Sequence, residues 1–212
     1  MAKAKAKGSS SKAAKEQSRA AACLLEDFLF LGPASAASDA GFLTAKAITH
    51  VLSIGQDPPK KLDLHVLDPV SGRTTALQYH RLRLVDAGSS ASSLQTCVDA
   101  ASALLERFRS EKGRVLVHGS AGISRSPAVA VGYMMRHHGK TLKEALHVVV
   151  SARPAVSPNP EFIGWLKEEE IRLFGRGTLS VDRLPARQAD RLALLLPGPL
   201  SPEQCPTSTS TP

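Results

Sequence analysis

The sequence predicts an α/β domain in which a central, mainly parallel sheet is flanked by helices, and three observations carry that expectation. Short β-branched and aliphatic runs alternate with segments of helical period, the pattern from which strand–helix–strand units and parallel sheets are built. One run, Val115-Leu-Val-His118, passes through a seven-residue loop, 119–125, straight into a helical pattern marked by Ala128, Val129, Val131, Tyr133, Met134 and Met135. Finally, 212 residues with 42% hydrophobic content are enough for one domain of ordinary size with tails.

The elements follow in order. Residues 1–22 are Ala, Lys and Ser with almost no large apolar side chain, and read as a disordered basic tail. The folded domain is expected over 23–175. Phe28-Leu-Phe-Leu-Gly32 reads as a first strand, 34–47 as a helix with Asp39 and Gly41 near its middle, and 48–54 as a second strand. His50 in that strand has no His or Cys partner at metal spacing and reads as a packed strand residue. Residues 56–76, with Pro58, Pro59, Pro69 and Gly72, read as a surface insertion beside the site with a short strand at 62–67. Residues 77–85 alternate as a strand with His80 or Arg83 facing out, and deliver Asp86 into a Gly/Ser-rich turn. Leu94, Val98, Ala101, Leu104, Leu105 and Phe108 share one face of a helix over 94–109. After the central strand, a helix over 127–138 stops near Gly139. Thr141-Leu-Lys-Glu144 is a capping box that opens a helix to Ala152. Asn159 with Pro160 is an N-cap followed by proline at the first helical position. From 176 to 212 the composition turns to Pro, Ser, Thr and Arg, and a second disordered tail is expected.

Loop 119–125 carries the chemistry. Gly119 and Gly122 permit backbone conformations closed to other residues, so successive N–H groups can turn inward as an anion-binding nest. The loop opens a helix, whose unpaired donors and positive dipole end favour a phosphate. Arg125 adds a planar, permanently charged fork suited to two phosphate oxygens.

With strand, loop, helix and arginine in this order, the stretch resembles the signature of the cysteine-dependent protein phosphatases, in particular the dual-specificity branch. That signature is His-Cys, five residues, Arg, then Ser or Thr. His118, Arg125 and Ser126 fall in place, while the cysteine position holds Gly119. Ser-Ala-Gly-Ile-Ser at 120–124 is most similar to the serine/threonine/tyrosine-interacting pseudophosphatases, which carry glycine at that position. The resemblance extends over 24–174, including the Leu-Gly strand, the Thr-His-Val-Leu strand and the Arg153-Pro turn with Asn159, which in the family lies behind the phosphate loop.

The resemblance implies a phosphate held by Gly119, Ser120, Ala121, Gly122, Ile123, Ser124 and Arg125, with Asp86 at the position of the general acid. It also implies His118, Ser126 and Asn159 as loop support. It implies no metal and no cofactor. In the family a thiolate attacks phosphorus, and Gly119 has no side chain to do so. Loss of an essential nucleophile costs on the order of a million-fold in rate, so a catalytically inactive protein that binds phosphotyrosine or phosphothreonine proteins, and shields or anchors them, is expected. The general-acid role of Asp86 would then be vestigial. Two other functions fit the residues: residual phosphatase activity through an unconventional nucleophile, and a scaffold indifferent to phosphate. The implied partners are phosphorylated proteins, with mitogen-activated protein kinases among them.

Composition narrows the rest. The formal net charge is +8, with Lys3, Lys5, Lys7, Lys12, Lys15 and Arg19 facing Glu16 in the first stretch. Such charge suits acidic partners without specifying nucleic acid. Cys23, Cys97 and Cys205 form neither a metal pattern nor a disulfide framework, which favours a reducing compartment. A monomer in the cytoplasm or nucleus is expected, an organelle transit peptide at the N-terminus being the alternative, and no apolar run reaches membrane-span length. In the second tail, Arg183, Arg187 and Arg191 before Leu192-Ala-Leu194 are similar to kinase docking segments, and Ser201-Pro202 and Thr211-Pro212 are candidate phosphorylation sites.

Overall fold

The computed structural model describes residues 21–26, 28–57, 62–67, 72–86 and 91–196. Seven strands are present among them: β1 (Ala22–Leu25), β2 (Leu29–Gly32), β3 (His50–Ile54), β4 (His65–Leu67), β5 (Thr74–Ala76), β6 (Gln78–Leu82) and β7 (Val115–His118). The helices are α1 (Ala40–Ala45), α2 (Ala91–Ser110), α3 (Arg125–His138), α4 (Leu142–Ala152), α5 (Pro160–Phe174) and α6 (Gln188–Leu195). The main sheet has the order β1-β2-β7-β3-β6, and β4 pairs with β5 separately. β2, β7, β3 and β6 are parallel, while β1 is an antiparallel edge on β2.

The sheet is covered on both faces, so its central strands β3 and β7 are buried along their whole length and mostly apolar. Alternate residues serve different layers. Leu29, Leu31, Leu52, Ile54, Val115 and Val117 belong to the larger core with α2 to α6, whereas Phe30, Val51 and Leu116 meet Leu43 and Ile48 in a smaller one. Removing a buried leucine from such a layer costs about 2–5 kcal/mol. The register sets Gly32 and Ser53 on either side of His118. Three parallel strands therefore end together beneath the loop.

Several elements depart from expectation. The stretch 34–47 is a 3-10 turn at Ala36–Ser38 and then α1, because Asp39 caps α1 by accepting from the Phe42 amide at 3.0 Å instead of continuing a helix. β1 was not foreseen, since its short Ala-Cys-Leu-Leu run borders the basic tail. The insertion holds an antiparallel β4–β5 pair, and Leu62 and Leu64, just before β4, pack on the smaller core. His80 does not face outward, because its ring lies against Phe108 with centroids 4.7 Å apart; Arg83 is exposed. His50 is buried and stacked on Phe108, as a packed strand residue should be.

The largest correction concerns the expected tail over 176–212. Residues 176–196 are folded: Leu179, Leu184 and Leu195 are buried in the main core. α6 packs on α4, and Lys143 N donates to Thr178 Oγ1. Arg191 donates to the carbonyls of Pro154 at 3.0 Å and Val156 at 2.6 Å, and to those of Pro185 and Ala186. A few apolar anchors and one guanidinium thus hold a segment whose composition is polar. The candidate docking residues Leu192 and Leu194 are half-buried in this packing. Residues 1–20, Ser201, Cys205 and Thr211 lie outside the described residues, with the expectations attached to them. No helix among the described residues is long and apolar enough to cross a membrane.

Candidate functional site

Loop 119–125 bridges the end of β7 and the start of α3, and its conformation follows from what its carbonyls do. Gly119 O accepts from Gln56 Nε2 at 3.2 Å and lies 3.1 Å from His118 Nδ1. Ser120 O accepts from Ala34 N at 3.0 Å, Ala121 O from Arg153 Nη2 at 3.2 Å, and Ile123 O from Ser157 N at 2.9 Å. In a trans peptide the next amide points opposite to each carbonyl. Carbonyls tied outward to the surrounding scaffold therefore turn the N–H groups of Ser120, Ala121, Gly122 and Ser124 into the bowl. The bowl is a cavity of about 400 Å³ lined by Asp86 and residues 119–126.

The two loop glycines differ. Gly122 sits at φ +67°, and a Cβ there would meet Gly32 O at 2.4 Å, so both its conformation and its close approach to β2 require glycine. Gly119 is not among the positive-φ residues, and an added Cβ would meet Ser126 Oγ at 3.2 Å and Ile54 O at 3.7 Å. Backbone freedom, expected at both positions, is used only at Gly122.

Arg125 is anchored by donating from Nη1 to Gly55 O at 2.7 Å, and its Nε lies 3.8 Å from Asp86 Oδ2. Asp86 stands half-exposed at the cavity mouth. Its Oδ1 accepts from Ser124 Oγ at 2.7 Å, which in turn accepts from Asn159 N at 3.2 Å. The Asn159 amide caps α5 by accepting from Phe162 N at 2.8 Å, and donates from Nδ2 to the Asp86 backbone carbonyl. Asn159 thus joins the cap, expected from sequence, to the positioning of Asp86, which was not. Ser124 spends its hydroxyl on Asp86 and makes no side-chain cap for α3.

His118 is buried, and burial lowers its pKa, partly offset by its bond to Gly119 O. A carbonyl only accepts, so Nδ1 carries the proton in this bond to the first residue of the loop. Ser126 does not brace it: its buried Oγ has no hydrogen-bond partner among the described residues. Arg153, in the turn expected behind the loop, supports it through Ala121 O, and Gly55 and Gln56 support the site without having been singled out. The signal for that pair was a glycine directly after a strand, common enough to carry little information alone. Cys23 is exposed on edge strand β1, and burial in α2 pushes the Cys97 thiol up to about 12. No cluster of three or more His, Cys, Asp or Glu residues suited to a metal occurs among the described residues.

The profile of the family described as "Dual specificity phosphatase, catalytic domain" matches residues 29–172. The chain is 34% identical over 148 residues to dual specificity protein phosphatase 1 of Arabidopsis thaliana, covering 69% of this chain and 68% of that protein. It is 32% identical over 157 residues to MAP kinase phosphatase with leucine-rich repeats protein 3 of Dictyostelium discoideum, covering 72% of this chain and 16% of that protein. Among solved structures, the human tyrosine phosphatase-like serine/threonine/tyrosine-interacting protein is similar with a TM-score of 0.60 and 27% identity, over 73% of this chain and 97% of that one.

Proposed function

We propose, from the premise that the chain belongs to the dual-specificity phosphatase family, that it is a phosphoprotein-binding member which holds a phosphate ester without hydrolysing it. One observation carries the reading. Loop 119–125, Arg125 and Asp86 line one cavity, while the position of the family's nucleophile is Gly119. Neither described cysteine substitutes, since Cys23 lies on the edge strand and Cys97 is a buried, protonated thiol.

The electrostatics favour holding. A thiolate in the bowl would repel an incoming dianion by about 4 kcal/mol per pair of unit charges at ~4 Å and an effective dielectric of ~20. Glycine removes that repulsion. Bound phosphotyrosine or phosphothreonine would be shielded from other hydrolases or anchored to this protein. Phosphorylated mitogen-activated protein kinases are the proposed partners, a choice supported by the name of the Dictyostelium relative.

Calorimetry with phosphotyrosine and phosphothreonine peptides, and with their unphosphorylated forms, tests this. Binding should require the phosphate, no inorganic phosphate should be released, and Arg125→Ala should weaken binding by about 3–6 kcal/mol, two charge-assisted hydrogen bonds. Phosphate-independent binding that ignores Arg125→Ala would leave a scaffold in its place, and steady phosphate release that vanishes in Arg125→Ala would make the protein an enzyme.

A further inference from the structure

We infer that the space left open at Gly119 is itself part of the anion site, and that the Ser126 hydroxyl beneath it donates directly to an oxygen of the bound phosphate. This rests on the reading of 119–125 as a phosphate-binding loop. Ser126 is completely buried, and its Oγ finds no partner among the described residues. Most buried hydroxyls are hydrogen-bonded, and this one, unlike the equally unpartnered Ser102 Oγ, lies on the lining of the loop cavity, where a ligand could supply its partner. Its direction agrees. The position a Cβ on Gly119 would occupy lies 3.2 Å from Ser126 Oγ but 3.8 Å from Ser126 Cβ, so the hydroxyl is the part of the side chain nearest that space. Gly119 and Ser126 both line the cavity.

The chemistry of the surroundings places the ligand oxygen on the serine side. Ile54 O, 3.7 Å from the same point, is an acceptor and repels an anion. Ser126 stands in the first turn of α3, where the helix dipole draws negative charge toward the hydroxyl. A side chain at position 119 would cover the hydroxyl and place its own atoms where the phosphate oxygen goes. With glycine, one more neutral donor meets the dianion and no bond is made or broken.

The test uses inorganic phosphate and a phosphothreonine peptide, titrated calorimetrically into the full chain and into Ser126→Ala, Gly119→Ala, the double variant and Arg125→Ala. Ser126→Ala should weaken both ligands by roughly ten- to a hundredfold, the range for a hydrogen bond to a charged group. It should leave the unliganded unfolding midpoint unchanged or raised, because an unpartnered hydroxyl is removed. Gly119→Ala should weaken binding too, and in that background Ser126→Ala should change affinity by less than about twofold, since the hydroxyl is already covered. If the native chain binds and Arg125→Ala does not, yet Ser126→Ala stays within about twofold, the inference is wrong and the loop reading stands. If the native chain binds neither ligand, both fail. A peptide bound far more tightly than free phosphate identifies the protein-borne ester as the occupant; equal affinities identify the free ion. The Ser126→Ala loss supports the assignment in either case.

Discussion

If loop 119–125 is the proposed phosphate cradle, replacing Gly119 by cysteine should turn it into a working phosphatase site. The backbone there is outside the left-handed region, so a side chain brings no conformational strain. Its Cβ would stand 3.2 Å from Ser126 Oγ, the tightest contact, and a shift of that hydroxyl by a few tenths of an ångström relieves it. The cost of that shift is offset by about 0.5–1 kcal/mol gained from restricting the unfolded chain at a former glycine. Folding stability should therefore change by less than about 1 kcal/mol. The new thiol would face the loop amides, the α3 dipole and the Ser126 hydroxyl, all of which favour a thiolate. His118, kept neutral by burial, would brace without contributing charge. Restoring an essential nucleophile is worth up to about 8 kcal/mol of barrier, or a million-fold in rate. The gain should be largest for aryl phosphates whose leaving group needs no proton, because the Asp86 carboxylate is occupied by Ser124 and Asn159. The assay is release of nitrophenolate, with iodoacetamide inactivation reporting the thiolate. A Gly119→Cys protein that folds and binds phosphate but neither hydrolyses nor alkylates faster than the native chain would refute the geometry assigned to the loop.

Further outcomes follow from other parts of the molecule. Gly122→Ala places a methyl 2.4 Å from Gly32 O at a φ of +67°, and should cost at least ~2 kcal/mol by urea unfolding and abolish phosphate binding. Arg191→Ala removes donors to four carbonyls and should destabilise the fold by about 2 kcal/mol, with protease sensitivity rising first within 176–196. Burial, with His80 and then Arg107 nearby, lowers the His50 pKa to about 4, although Glu111 lies 3.9 Å away and Thr49 hydrogen-bonds Nδ1. The unfolded chain binds this proton near pH 6.5 and the folded chain does not. Stability from this group is thus complete above about pH 6.5 and declines by about 3 kcal/mol as pH falls to about 4. In His50→Phe that part of the pH dependence of the unfolding midpoint should disappear.

What the sequence made legible was whatever local chemistry determines. The His118-to-Arg125 order, the Thr141–Glu144 box and the Asn159–Pro160 start are each written in adjacent residues, and the structure keeps all three. What remained hidden depends on distant partners. β1 exists because Leu31 offers it an edge, and 176–196 fold because Leu179, Leu184 and Leu195 find a core already built. Asn159 reaches Asp86 across a sequence separation of 73, a meeting that no spacing rule announces. The orphan state of Ser126 is a property of everything around it, so it could not be read from a residue type that usually braces such loops.

The packed C-terminal segment has a consequence for any protein that would grasp its arginines and leucines. Arg191 holds Val156 O, and Ser157, the next residue, donates to Ile123 O in the loop. Detaching α6 withdraws support from the loop proposed to hold phosphate. By reciprocity, an occupied loop resists that detachment by the same free energy. A partner offering both a phosphorylated residue and a cleft for the leucines would find its two handholds antagonistic, and would bind less tightly than the sum of its parts.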